Sequence, residues 1–261
     1  MDVAFDLTGE VIVVTGGGSG IGGGFARAAA AAGATVVAAD VNTAGLDEVA
    51  AQGTGPGIIE PAALDVADAR AVDAFFRQVV NAHGKVDAVV QCAAIQPRTL
   101  IVDMPIEEWL HVMDVNLNGT FYVSRAAAPY MMERRRGSIV TFTSGLAKSG
   151  WARASAYATT KAGIIAFTKS LARELLPYAV RANVIAPGVT ASPLFTGPNT
   201  PAEQEYFRQQ KGVGTVEDVV PLLLFLVSDA SATLTGSVLD REIILSLAQS
   251  ASWSRHAPSP S

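Results

Sequence analysis

Tyr157 and Lys161 stand four residues apart, Ser144 lies thirteen residues upstream, and Thr15-Gly16-Gly17-Gly18-Ser19-Gly20-Ile21-Gly22 forms a glycine-rich run near the start of the chain. A phenol, an amine one helical turn later and a separate hydroxyl can act together as a proton donor and acceptor. A glycine-rich turn can hold a nucleotide. In combination they point to hydride transfer between a nicotinamide and a carbonyl or alcohol. Free tyrosine, with a pKa of about 10, is a poor base at neutral pH. An ammonium at i+4 favours phenolate, so Lys161 is expected to lower the Tyr157 pKa. Ser144 is expected to donate to the substrate oxygen as charge develops there.

The glycines follow an apolar, β-branched run, Glu10 to Thr15, and open an Ala-rich helical stretch from Ile21 to Ala32. At such a turn the missing Cβ atoms let the backbone approach a pyrophosphate, and the helix start offers free N–H donors. Gly16, Gly20 and Gly22 are spaced G-x-x-x-G-x-G, with Ser19 and Ile21 between them. Gly18 to Gly23 also satisfies G-x-G-x-x-G, so the register stays open. Asp40, eighteen residues after Gly22, ends the second predicted strand. A carboxylate there accepts hydrogen bonds from ribose hydroxyls and repels a 2′-phosphate, so NAD is expected rather than NADP. No metal site is expected.

The positioning elements alternate. Predicted strands at 35–40, 58–64, 85–92, 138–143, 180–186 and 237–244 follow the first one. Between them lie predicted helices at 43–52, from Asp68 to about 82, 106–134, 154–176 and 215–228. Strands alternating with helices of this length imply parallel crossovers and a doubly wound α/β sheet with helices on both faces. One domain is expected over residues 1–249. The Pro- and Gly-rich segment at about 190–212 is read as a lid with a short polar helix near 202–210, and the Ser/Pro-rich end, 250–261, is expected to fray.

The chain resembles the short-chain dehydrogenase/reductase family over roughly residues 7 to 240. The matching segments are Thr15 to Gly22, Asp40, Leu64-Asp65-Val66, Asn116 within Val115-Asn116-Leu117-Asn118-Gly119, Ser144, Tyr157 with Lys161, and Pro187-Gly188. The resemblance implies a single-domain Rossmann fold with a seven-stranded parallel sheet. It also implies a catalytic tetrad of Asn116, Ser144, Tyr157 and Lys161, in which Asn116 helps hold a water beside Lys161. Asp65 and Val66 would contact the adenine, and Cys92, Ala93, Pro187 and Gly188 would add cofactor contacts. Ser192 occupies the slot of a residue that binds the nicotinamide amide, with Thr190 as the rival candidate. The substrate pocket would be lined by Ile95, Gln96, Ser144, Leu146, Trp151, Tyr157 and Val189. Family members usually form homodimers or homotetramers through the two long helices. This chain departs from the family pattern at Gln91-Cys92-Ala93-Ala94, where the family has Asn-Asn-Ala-Gly, and at Glu242-Ile243-Ile244, where it has Asp-Gly-Gly.

Composition narrows the setting. The chain has 261 residues, 49% of them hydrophobic and 16% charged, which suits a large buried core rather than disorder. A net charge of −5 with no basic stripe argues against nucleic acid. The Glu133-Arg134-Arg135-Arg136 run reads as cations at a helix C-terminus. One cysteine fits a reducing compartment, and no secretory signal or bilayer-length apolar stretch is visible, so a soluble cytoplasmic protein without membrane partners is expected. Arg98 and Arg153 lie close in sequence to the pocket and could attract an anionic substrate, although surface placement is expected for both. The expected substrate is a small or medium secondary alcohol, cyclic or polyol, or its ketone. The alternatives are a 3-oxoacyl thioester (acyl-carrier) reductase and a non-catalytic NAD(H)-binding protein on the same scaffold.

Overall fold

Val11–Thr15 (β1) is buried along its whole length, which is why its five residues are apolar or β-branched without alternation. The computed structural model describes residues 5–241. Around β1 assemble Thr35–Asp40 (β2), Ile58–Ala63 (β3), Ala88–Gln91 (β4), Gly137–Phe142 (β5), Val180–Ala186 (β6) and Val238–Asp240 (β7). All are parallel, in the order β3-β2-β1-β4-β5-β6-β7. This is a single-domain, seven-stranded Rossmann-type fold. Winding reverses between β1 and β4, and that switch opens a crevice at the strands' carboxyl ends. Pro61 is tolerated in β3 because that strand is an edge.

One face of the sheet is covered by Gly20–Ala31 (α1), Thr43–Ala51 (α2) and Val220–Val227 (α10), through Phe25, Leu46 and Leu223 among others. The opposite face carries Ala69–His83 (α3), Gly119–Arg134 (α5) and Ser155–Leu175 (α7). The α3 helix shows how sequence dictates an element. The Asp68 carboxylate accepts from the N–H groups of Arg70 and Ala71, Val72, Phe75, Phe76 and Val79 form its buried stripe, and left-handed Gly84 ends it.

Three predicted elements change. The expected helix over 106–134 is Ile106–Met113 (α4), then one π-helical turn at Asp114–Asn118, then α5. Gly119 N–H reaches back five residues to the Asp114 carbonyl, and the Thr120 hydroxyl donates to the Asn116 carbonyl at 2.7 Å. The helix expected from 215 begins at Val220, because Pro221 favours a helix start and Thr215 N–H is taken by the Asp218 carboxylate. The last strand spans Val238–Asp240, and the predicted part at Glu242, Ile243 and Ile244 lies outside the described residues, as does the tail at 250–261. The expected lid contains Pro193–Thr196 (α8) and Pro201–Gln210 (α9), the latter opened by a capping box of Thr200 and Glu203. A short helix, Leu146–Ser149 (α6), follows β5.

The basic run does more than oppose a helix dipole. Arg134 and Lys85 each reach the buried Asp87 carboxylate at 2.7 Å, and Arg136 pairs with Glu10 and Asp229. The other Asp87 contact is the Val11 N–H, 2.8 Å away, so this carboxylate ties β1, β4 and α5 together. Burial raises its pKa, but hydrogen bonds from Lys85, Val11 and Arg134 outweigh that and hold it below the ordinary value. A depressed folded pKa means stabilisation that is present above the unfolded value and is lost as pH falls through the folded one. Asp87→Ala is therefore expected to destabilise the protein by about 1–3 kcal/mol near neutrality, because Lys85, Arg134 and the Val11 N–H lose their shared anionic acceptor. In urea titrations, its difference from the parent should shrink as pH drops below about 4.

Candidate active site

Two cavities open at the carboxyl ends of the strands and share a wall. The first, of about 340 Å³, is lined by the glycine turn, Asp40, Asp65, Val66, Cys92 and Ala93. The second, of about 370 Å³, lies under α8 and α9. Ile21, Thr143, Tyr157, Pro187, Ser192 and Leu194 line both. Tyr157 thus sits at the junction.

The first cavity suits a dinucleotide. Gly16 has φ +70°, and a Cβ there would stand 2.5 Å from the Ala93 nitrogen. A Cβ on Gly22 would collide with the Gly16 carbonyl oxygen. Only glycines let β1 turn this closely past β4 into α1. Ser19, the N-cap of α1, makes no side-chain capping bond, so its first-turn amides at Gly20 and Ile21 border the cavity as anion donors. Asp40 accepts from Gly18 N–H at 3.0 Å and from Asn42 N–H at 3.0 Å, one bond on each oxygen. Each oxygen keeps a lone pair for a ribose hydroxyl. Asp65 is exposed on the rim, accepting from Ala67 N–H, and Val66 is buried beside Gly119. Cys92 is a half-buried free thiol whose pKa is pushed up to about 12 by desolvation, against the pull of Lys161.

Both members of the Tyr157/Lys161 pair are buried on α7. The ammonium of Lys161 donates to the Phe142 carbonyl at 3.0 Å, and Thr143 in turn donates to the Lys161 carbonyl at 2.7 Å. The end of β5 therefore grips the lysine from both sides. Lys161 Nζ lies 5.5 Å from the centre of the Tyr157 ring. Burial pulls Lys161 down to about 8. It pushes Tyr157 up to about 12, against a hydrogen bond with Ser144 and the charge of Arg98. This corrects the expected downward shift: desolvation of the phenol wins, and the opposing cation is Arg98 rather than Lys161. Ser144 also accepts from the Leu146 N–H at 3.2 Å, which orients its hydroxyl at the start of α6.

Asn116 is fully buried on the π-helical turn and lines neither cavity. Its amide clamps one residue twice, accepting from Ile95 N–H at 2.8 Å and donating to the Ile95 carbonyl at 2.9 Å, with Thr160 Oγ1 at 3.3 Å. It thereby holds the loop that follows β4 against α7. Ile95, expected in the substrate pocket, lines the first cavity instead. Gln96, Leu146, Trp151 and Val189, also expected in the substrate pocket, line the second. Gly188 and Thr190, expected at the cofactor, also face the second cavity, because a bridge between Thr190 and Gly214 turns the chain away from the glycine loop. Ser192 does border both, and its Cβ lies 3.4 Å from the Cβ position of Gly20. Sequence reasoning missed Thr143, His111 and Lys211 on the walls. It also expected Arg98 on the surface, whereas Arg98 is half-buried and lines the second cavity; Arg153 is exposed as expected.

The family model for Enoyl-(Acyl carrier protein) reductase matches residues 7–241. The chain belongs to the short-chain dehydrogenase/reductase family. It is an oxidoreductase of that family, whose members bind a nicotinamide cofactor. It is 37% identical over 236 residues to a 3-oxoacyl-(acyl-carrier-protein) reductase of Thermotoga maritima, covering 89% of this chain and 96% of the relative. It is 35% identical to a 2-dehydro-3-deoxy-L-rhamnonate dehydrogenase (NAD(+)) of Sphingomonas sp., covering 89% and 93%. A short-chain type dehydrogenase/reductase from Mycobacterium marinum superimposes with a TM-score of 0.85 at 31% identity, over 92% of this chain and 96% of that one. Levodione reductase does so with a TM-score of 0.84 at 26% identity, over 89% and 96%. Among the described residues, no helix of this family member is long and apolar enough to cross a membrane.

The clamp on Ile95 predicts a stability effect separate from proton transfer. Asn116→Ala leaves the part-buried N–H and carbonyl of Ile95 without their partner, and is expected to cost about 1 kcal/mol in urea unfolding. Equal midpoints for variant and parent would show that the clamp does not matter for folding.

Proposed function

We propose that this chain is an NAD-dependent dehydrogenase that interconverts a secondary alcohol and its ketone, with Tyr157 as general acid and base. The observation that carries this reading is the position of Tyr157 on the wall shared by a dinucleotide-shaped cavity and an apolar one. A nicotinamide held in the first cavity supplies the hydride acceptor or donor. In oxidation, Tyr157 in its phenolate form takes the hydroxyl proton of a substrate lying in the second cavity, and Ser144 holds the same oxygen. In reduction, Tyr157 returns the proton. Lys161, fixed by Phe142, keeps a cation over the phenol ring and is placed to hold ribose hydroxyls. Gly16, Ser19, Gly20, Ile21, Gly22, Asp40, Asp65, Val66, Cys92, Ala93, Pro187 and Ser192 would hold the cofactor.

Asp40 supports NAD rather than NADP, since its carboxylate stands on the cavity wall with no pairing cation in either of its two hydrogen bonds. A second reading, reduction of a 3-oxoacyl thioester, is favoured by the 37% identity to the Thermotoga reductase. An assay panel with both cofactors and both substrate types separates the two. Self-association belongs to this reading as well, through the outer faces of α5 and α7, where Phe121 is 45% exposed beside Phe167.

Tyr157→Phe is expected to lower turnover by about 10²–10⁴-fold. NADH binding, read by nicotinamide fluorescence, should stay nearly intact. Parent-like turnover in that variant would rule the assignment out. NADH should be preferred over NADPH by at least about tenfold, with Asp40→Ala eroding the preference. Because burial holds the phenol near 12, the phenolate fraction grows with pH below that value, so oxidation should climb across the alkaline range while carbonyl reduction, which uses the protonated phenol, holds level until pH approaches 12. A flat pH profile of kcat/KM in oxidation would contradict proton transfer through Tyr157.

A further inference from the structure

The second cavity combines an apolar wall with an unneutralised cationic group. Trp151 packs on Phe207 and Tyr206 of α9, with ring centres 5.0 and 5.6 Å apart, and Phe195 of α8 adjoins Phe207 at 5.9 Å. Arg98 and Lys211 line the same space. Among the described residues, the one carboxylate on this wall is Asp240, which is ion-paired with Lys148. Among the described residues, no carboxylate on this wall therefore neutralises Arg98.

Arg98 is held from behind. Thr99 N–H donates to the Arg153 carbonyl at 3.1 Å, and Arg153 Nη2 donates to the Arg98 carbonyl at 2.9 Å. Arg153 takes a left-handed φ of 64° at this junction, a conformation that costs a non-glycine residue energy. In front, Arg98 Nη2 donates to Asn199 Oδ1 at 2.8 Å. Its Nε and Nη1 are buried and have no acceptor among the described residues. Glu203 favours the charge from a distance, but its Oε2 accepts from the Thr200 N–H and hydroxyl. A guanidinium takes a carboxylate along either of two edges, and each edge here keeps an unspent donor. The Arg98 charge also acts on Tyr157, so it lies within electrostatic range of the reacting oxygen.

We propose that Arg98 is a specificity-determining residue that binds a substrate carboxylate, so that the enzyme's substrates are hydroxy acids and oxo acids bearing an apolar group packed on Trp151 and Phe207. This rests on the reading of Tyr157 as the acid/base group and adds the substrate class to it. The carboxylate is carried a few bonds from the reacting carbon and does not itself react. In oxidation the carbinol C–H bond breaks and its hydride passes to the nicotinamide, while the O–H proton passes to Tyr157 and an oxo acid remains. The Asn199 contact serves a second purpose, since it ties the guanidinium to the lid that closes the cavity.

The test uses the full chain with NAD and a panel of phenyl-substituted 2- and 3-hydroxy acids, each with its methyl ester. The parent should prefer acid over ester by at least about tenfold in kcat/KM, mostly through KM. In Arg98→Met the acid-to-ester ratio should fall to about one, beyond any loss that acid and ester share through the altered surroundings of Tyr157 and the lost Asn199 bond. Equal losses on acid and ester would mark Arg98 as a lid latch alone and overturn the proposal. Calorimetric titration of the parent with 3-phenylpropionate and with its amide needs neither turnover nor a folded variant. Acid binding at least about tenfold tighter supports the carboxylate site. If such binding is seen but no alcohol is oxidised, the dehydrogenase reading fails and the anion site stands. If neutral alcohols are oxidised and the acid binds no tighter than the amide, the dehydrogenase reading stands and Arg98 is not a carboxylate site.

Discussion

Holding a phenol and an ammonium out of water on one helix face is the demand that the rest of the molecule meets. Desolvation disfavours the charged form of each, so Tyr157 is pushed up and Lys161 is pulled down. The ammonium is retained by the Phe142 carbonyl at the end of β5, and the Thr143 hydroxyl fixes the lysine's own backbone. A strand end and a helix face must therefore meet in one register. The buried Thr141 and Thr168 hydroxyls, 2.7 Å apart, link β5 to α7 further along the same contact. With α7 docked in this way, the phenol has a single place to point, which is the seam between two cavities.

The seam exists because the sheet changes winding direction between β1 and β4. Helices leave the two strands toward opposite faces, and the gap between them becomes the first cavity. Small residues keep that gap narrow enough to grip a backbone-bound ligand. Gly16 passes against Cys92 and Ala93, and Gly22 passes against Gly16. The Asp87 network, on the far side of the sheet, fixes the spacing of the same two strands by tying β1 and β4 to the end of α5. A carboxylate at the bottom of the sheet and glycines at the top thus constrain one strand pair.

The second cavity is assembled differently. Its walls come from the loop after β4, from α6 and the start of α7, and from α8 and α9. Aromatic packing of Trp151 on α9 holds the lid down, and the Arg98–Asn199 bond joins it to the loop after β4. A guanidinium with two unspent buried donors is costly to a protein with no other use for it. That cost sets Arg98 apart from the arginines held in ion pairs. Arg134 and Arg136, for example, each pair with a carboxylate.

What the sequence determined by itself was local. The alternation of strands and helices, the glycine turn, the i, i+4 phenol and amine, and the Asp68 cap each depend on residues within a few positions of one another. Backbone sterics and helical periodicity act over that range. The seven-strand count followed from the family resemblance and agrees with the sheet. The tertiary structure decided the rest. Asn116 is a clamp on Ile95 because a π-helical turn brings together residues 21 positions apart. Ile95 lines the first cavity rather than the second, and Gly188 and Thr190 line the second rather than the first, because residue direction in a loop is set by what the loop packs against. The Tyr157 pKa moves up rather than down because desolvation sums over every neighbour in the fold, whereas spacing along a helix reports only one of them. Arg98 became part of a cavity wall only when Asn199, 101 positions away in the chain, closed over it.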